Sequence, residues 1–308
     1  MSVFQSPAIH DDFCAFAPEM RAAFEAHFAD PYAMAPPQHF VWNYWHVPGR
    51  YTYLRSELPT VLGRDLASRF MRHLETWSLL RYGLRPRLPW LSLYVNGCEQ
   101  GLHNDAGNGR LAYVFSLTRW QERRFSGGET LLLRPEARSA ERQTRPSSLG
   151  DLLQAVSADF NRLILFDDRL PHGVARLFGT MAPGEGRLVI HGHLVETEPV
   201  LIGALPDEAL QSLRGLLIDN LQAIGEQSDA ALHGVVTLRA DVARTGTVSN
   251  ARVLADLGWI LAPEGEARKR DAIAQALSLL ESIGPLPQAQ GPSVLVVALR
   301  LGQIRQNS

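Results

Sequence analysis

Between residues 90 and 195 the chain is cut into short apolar runs by turn residues, and this pattern leaves few folds open. Residues 91–95 are closed by Asn96-Gly97, residues 111–117 form a second run, and residues 130–133 follow Gly127-Gly128. Residues 152–156, 162–166, 173–178 and 187–195 continue the series. Many short strands separated by glycine turns close into a sandwich or a barrel. The largely polar residues 134–150 are expected as a surface loop.

Two segments ahead of the strands carry helical spacing. Residues 12–29 read as one amphipathic helix and residues 62–80 as another, ending before Gly83 and Pro86. The expected fold is α+β: a double-stranded β-helix, or jelly roll, with the two helices flanking it on one outer face. Between the helices lies an aromatic stretch with His39, Phe40, Trp42, Tyr44, Trp45, His46, Tyr51 and Tyr53. It either lines a cleft or packs between helices and barrel, and packing is favoured because such rings bury large apolar area.

After Pro199 the texture changes. Residues 207–224 read as a helix and 225–230 as a polar linker. Strands at 234–242 and 247–254 are joined by Ala243-Arg244-Thr245-Gly246, residues 266–283 form a helix stopped by Gly284-Pro285, and residues 293–301 form a last strand. This α-β-β-α-β order predicts a small domain with its own core. The expected division is therefore 1–199, with the jelly-roll core at about 88–195, and 200–308.

Composition excludes several classes. A net charge of -2 argues against a nucleic-acid binder, which needs a basic face. The arginines at 119, 123, 124, 134, 138, 142 and 145 are expected to be a solvated surface. No apolar run reaches the roughly 18 residues of a membrane span. Two distant cysteines, Cys14 and Cys98, make no disulfide framework and suit a reducing compartment. Residues 1–12 hold no basic segment followed by an apolar one, so no export signal is expected and the location expected is the cytoplasm.

The chemistry is concentrated in His103-Asn104-Asp105. An HxD pair at a strand end places an imidazole and a carboxylate on one face. The third ligand must come from elsewhere in the barrel, and His172, in Leu170-Pro171-His172-Gly173, is the candidate. Two histidines and one carboxylate on one face of an octahedron form the ligand set of non-haem iron(II) oxygenases. Arg187 stands on the next predicted strand. An arginine there suits the far carboxylate of 2-oxoglutarate, because its fork is rigid, always charged and bidentate. Arg176 competes for that role.

Residues 88–195, about a third of the chain, resemble the catalytic core of the prolyl 4-hydroxylase-like family of iron(II)/2-oxoglutarate dioxygenases. The matching pieces are Tyr94, Gly97 and His103-x-Asp105, then the turn from Phe125 to Thr130. The segment from Asn161 to His172 and the strand from Arg187 to His193 complete them. The resemblance implies iron(II) on His103, Asp105 and His172, with 2-oxoglutarate and O2 as co-substrates and ascorbate as a candidate activator. It implies a hydrogen bond from Tyr94 to the far end of 2-oxoglutarate, and a scaffold role for Gly127-Gly128-Glu129. The sequence departs from the family at Ser116, near where relatives place a co-substrate tyrosine, so the contact there is expected to be missing or water-mediated, with Ser116 kept among the cofactor-binding residues. It departs again at His193, where a Trp commonly ends the strand; His191 and His193 share the alternation of Arg187 and are candidate substrate or supporting contacts. The implied activity is hydroxylation of a peptide or protein side chain. The alternatives are hydroxylation of a small metabolite and a non-catalytic 2-oxoglutarate or metal sensor. A zinc hydrolase would not need Arg187, and Asp105 argues against halogenation. The C-terminal hairpin, Gly234 to Val242 and Gly246 to Val253, resembles the TonB C-terminal fold. That likeness implies binding of a partner through a strand edge, or homodimerisation.

Overall fold

A computed structural model describes residues 7–28, 43–134, 148–227 and 231–302. The chain divides into two compact units, one of residues 6–74 and 86–194, the other of residues 1–5, 75–85 and 195–308.

The first unit opens with β1 (Ala8–His10), α1 (Ala17–His27), β2 (Asn43–Val47) and β3 (Tyr51–Glu57), followed by α2 (Leu58–Leu62) and α3 (Arg64–Tyr82), of which residues 75–82, like residues 83–85 after it, fall in the second unit. After β4 (Leu84–Pro86) come β5 (Trp90–Tyr94), β6 (Glu99–His103), β7 (Leu111–Ser116), β8 (Thr130–Leu133), α4 (Leu149–Leu152), β9 (Leu153–Val156), β10 (Leu163–Asp167), β11 (His172–Val174) and β12 (Arg187–Glu196). The strands pair in the order β10-β7-β12-β5 on one side and β6-β11-β8-β9 on the other, with β3 bridging β5 and β6. From β5 to β12 successive strands alternate between the two sides, except for the directly paired β8 and β9, which is the winding of a double-stranded β-helix. The expected fold class is the one observed.

Strand alternation sorts the side chains. The outer face of β7 carries Tyr113 and Phe115, and the Phe115 ring meets Phe70 of α3 at 5.1 Å and Phe13 at 5.7 Å. The inner face carries Ala112, which joins Leu132, Val156, Ile164, Phe166 and Leu170 in a buried cluster.

Several boundaries differ from the expected ones. The first helix begins only at Ala17, with Pro18 in its first turn, while residues 8–10 pair with β10. The second runs from Arg64 to Tyr82, two residues later at each end than expected, and Gly63 at φ +80° separates it from the short helix Leu58–Leu62. The aromatic stretch from Tyr44 to Tyr53 is a hairpin turning at Gly49, φ +71°; His39, Phe40 and Trp42 lie outside the described residues. The strand expected at 173–178 ends at Val174. Beyond it the chain crosses tightly over Gly127, where a Cβ would lie 1.9 Å from the Arg176 carbonyl oxygen, so regular pairing stops.

The second unit contains β13 (Val200–Gly203), α5 (Gln211–Glu226), β14 (Leu232–Val242), β15 (Val248–Asp256), β16 (Trp259–Ile260), α6 (Gly265–Ser282) and β17 (Ser293–Leu301). The sheet order is β13-β17-β14-β15, with β16 on β14. Its core joins Leu217 and Leu221 of α5, Ala276 and Leu280 of α6, and Leu238, Leu295, Val297 and Leu299 of the sheet. β13 and β16 are not among the expected strands; both are short, and β16 holds two residues. No helix among the described residues is long and apolar enough to cross a membrane. Cys14 and Cys98 are buried free thiols.

Candidate metal centre

β6 ends on His103 and β11 begins on His172, and the antiparallel register sets these two residues directly opposite each other. Cross-strand partners share a face, so the rings lie together, with centroids 4.4 Å apart. Asp105 follows in a turn held by its backbone N–H, which donates to the Asp168 carbonyl at 2.8 Å. One ligand atom from each of His103, Asp105 and His172 lies within 4.8 Å of the others. Asp105 Oδ2 is 3.3 Å from His172 Nε2, and Oδ1 is 3.7 Å from His103 Nε2.

The donor chemistry fits a cation. Nδ1 of His103 donates to the Gly101 carbonyl and Nδ1 of His172 to the Leu170 carbonyl, each at 2.9 Å. That fixes the tautomers, with both Nε2 lone pairs turned towards Asp105. Three acceptors then converge, an arrangement that a divalent ion satisfies and neutral side chains do not. Burial works to raise the Asp105 pKa, but the imidazoles of His172, His193 and His103 around the carboxylate outweigh it and hold it at about 2, so the carboxylate is ionised for binding.

A cavity of about 810 Å³ opens onto this cluster. Arg187 lies in its wall, opposite Tyr94 in the register of β12 and β5, and only 1 % exposed. The guanidinium carbon sits 4.7 Å over the Tyr94 ring. Nη2 donates to Thr130 Oγ1 at 3.1 Å, while Nε has no partner. Among the described residues no carboxylate forms an ion pair with it. Tyr94 Oη donates to Gln100 Oε1 at 3.3 Å, and Gln100 Nε2 approaches His103 Nε2 at 3.2 Å, so side-chain contacts run from the arginine to the histidine cluster. Burial raises the Tyr94 phenol, which stays protonated and able to donate.

His191 and His193 also face the cavity. His191 Nε2 meets Ser92 Oγ at 2.8 Å, and burial, then the charges of Arg55 and Arg187, push its pKa down to about 3. His193 Nδ1 lies 3.1 Å from the buried Asp168 carboxylate, and its Nε2 lies 3.8 Å from Asp105 Oδ2. Burial raises the Asp168 pKa against the pull of His193.

Ser116 is not among the residues that line the cavity. Its side chain is fully buried, with Oγ donating to the Ala158 carbonyl at 2.7 Å and accepting from Thr118 N–H at 3.1 Å. Backbone groups at the end of β7 thus take its hydrogen and one of its two lone pairs. Arg176 is also away from the cavity lining: it is half-exposed, beside Glu99 and over Phe178. The expectations omit Gln100, Thr130, Asp168 and Arg55. Thr130 is legible as the first residue after the glycine turn; Arg55 is legible only in the alternation Tyr51-x-Tyr53-x-Arg55.

No family model matches the sequence, and no curated protein matches it. Solved structures do resemble the fold. A Pseudomonas putida prolyl-4-hydroxylase is 15% identical over 62% of this chain and 92% of that one, with a TM-score of 0.44. The α-ketoglutarate-dependent epimerase SnoN from nogalamycin biosynthesis is 14% identical over 62% of this chain and 78% of its own, with a TM-score of 0.42. HygX from Streptomyces hygroscopicus, solved with nickel and 2-oxoglutarate, is 13% identical over 62% and 83%, with a TM-score of 0.41.

Proposed function

We propose that the jelly-roll unit is an iron(II)- and 2-oxoglutarate-dependent oxygenase that hydroxylates its substrate. The observation that carries this reading is the buried Arg187. A charged guanidinium removed from water calls for an anionic partner, and Arg187 has none among the described residues while facing the cavity shared with the His103–Asp105–His172 cluster. An α-keto diacid matches both ends of that cavity, with a chelating head for a metal and a carboxylate tail for the arginine.

His103, Asp105 and His172 would hold the iron. Arg187 and Thr130 would hold the tail, with Tyr94 supplying a hydrogen bond beside it. When bound, iron(II) and 2-oxoglutarate together activate O2 for hydroxylation of a C–H bond and release succinate and CO2. The chain's own contribution is placement: the backbone carbonyls of Gly101 and Leu170 lock the two imidazoles, and Tyr53, Tyr94 and Phe166 line the cavity beside them. The substrate class proposed is a peptide or protein side chain, with a small metabolite as the alternative. The C-terminal unit, with a sheet edge at β15, is proposed as a TonB-C-like partner-binding or dimerisation module. The test is succinate release from 2-oxoglutarate with iron(II) and ascorbate. The expected result is release in the native chain and loss in the Asp105→Ala protein; release unaffected by that substitution would sink the proposal.

A further inference from the structure

A second cation in the cavity wall pairs with no carboxylate among the described residues. Arg55 lies on β3, opposite Ser92 of β5 in register. Its guanidinium carbon is 4.9 Å from the Trp45 ring, 4.6 Å from Trp90 and 5.5 Å from Tyr53. Three rings thus hold one guanidinium, which fixes its position and removes water from its flanks. Its Nε is buried and has no hydrogen-bond partner, and no carboxylate among the described residues pairs with it. Arg55 is half-buried and Trp45 is 39 % exposed, so this cage stands towards the open side of the cavity, whereas Arg187 is enclosed.

Charge in the cavity is unbalanced. Its wall contains Arg50, Arg55 and Arg187 but a single carboxylate, Asp105, which faces the two histidines. On the oxygenase reading, Asp105 is consumed by the metal and Arg187 by the co-substrate. Arg50, which is exposed, and Arg55 remain; of the two, Arg55 is held in place by rings, and no carboxylate among the described residues pairs with it. A planar guanidinium fork held by rings is suited to a planar, bidentate anion.

We infer that Arg55 is a specificity-determining residue that takes a carboxylate of the substrate, so the substrate of this site is an acid. The inference rests on the proposed function for the assignment of Arg187 to the co-substrate. It needs no turnover, because binding of the acid is read directly. The carboxylate can belong to a small organic acid or to an acidic side chain of a peptide, and the test separates these sources.

The protein loaded with manganese(II) and 2-oxoglutarate is titrated with matched pairs and read by saturation-transfer NMR. One pair is benzoate and benzamide; the other is a capped tripeptide with a central Asp and its Asn counterpart. The same titrations are repeated without metal and 2-oxoglutarate. The expected result is binding of at least one acid and not of its amide, weakened about ten- to a hundredfold in Arg55→Gln, as for loss of a charged hydrogen bond, and partly kept in Arg55→Lys. The pair that responds identifies the source of the carboxylate. Equal binding of acid and amide overturns the inference, as does binding of neither, or acid preference unchanged in Arg55→Gln. 2-Oxoglutarate affinity, measured in parallel, should fall in Arg187→Gln and not in Arg55→Gln; the reverse would assign Arg55 to the co-substrate and overturn the inference. If 2-oxoglutarate fails to bind the native protein while acid preference persists, the oxygenase reading fails and the anion site stands.

Discussion

The two units differ in how the charge of a buried cation is met. In the C-terminal unit the least exposed polar side chains have partners, and although Nε of Arg214 and of Arg239 has none, each guanidinium pairs with a carboxylate, Asp207 and Asp241. Lys269 pairs with Asp256 at 2.8 Å, Thr237 donates to the Tyr82 carbonyl at 2.7 Å, and Ser293 accepts from Leu205 N–H at 2.7 Å. In the jelly-roll unit Arg187 is as deeply buried as the core leucines, yet Nε has no partner and no carboxylate among the described residues neutralises it. Leaving a buried group unsatisfied costs about 1–3 kcal/mol, more when it is charged. A fold tolerates that where a ligand completes the set. The contrast therefore favours ligand chemistry in the jelly roll and structural packing in the C-terminal unit.

Substitutions can break that contrast. The largest effect is expected at the metal cluster. Ala in place of His103, Asp105 or His172 should lower iron-dependent succinate release at least about a hundredfold, since losing a group that merely orients a metal ligand already costs about 10–100-fold. Iron content by elemental analysis should fall with it, while circular dichroism stays native. Next, Asp256→Ala should cost about 3–5 kcal/mol in a denaturant melt, because it strands the buried Lys269 ammonium. It should leave 2-oxoglutarate affinity unchanged. A parallel loss of co-substrate affinity would mean that the two units are not separable in function.

Arg187→Ala should weaken 2-oxoglutarate by about ten- to a hundredfold, equivalent to about 1.5–3 kcal/mol. Iron affinity should not move, since no metal-ligating atom belongs to Arg187. Arg187→Lys should be intermediate, keeping charge and losing the fork. Arg176→Ala should be silent, because Arg176 is paired near Glu99 outside the cavity.

The smallest effect is a pH dependence. His191 has its pKa depressed from 6.5 to about 3 in the fold, so the unfolded chain binds the proton first as pH falls. Its contribution to stability is complete above about pH 6.5 and is lost progressively below it, about 1.4 kcal/mol by about pH 5.5. The His191→Asn substitution should flatten that segment of the stability curve. Asp105, held at about 2 from 3.8, titrates lower and does not overlap this window. If stability of the His191→Asn protein still falls between about pH 6.5 and 5.5, the dependence belongs to another group.

Much of this was legible in the sequence because it is local. Strand alternation announces the jelly roll, HxD places two ligands next to each other, and glycine-bounded helices and the hairpin at residues 243–246 announce the second unit. The expectation that His172 joins His103 and Asp105, and that Arg187 faces the same cavity, came from the order of elements. What misled was also local: Ser116 has the right position along β7, but its hydroxyl is taken by the Ala158 carbonyl, a contact made 42 residues away. Only the tertiary structure decided which polar side chains have partners. It set His103 opposite His172 by register, left Arg187 without an anion, and gathered Trp45, Tyr53 and Trp90 around Arg55 from a hairpin and the strand beside it. Periodicity specifies which face a residue takes; satisfaction of its hydrogen bonds and charge depends on non-local neighbours, which no local pattern encodes.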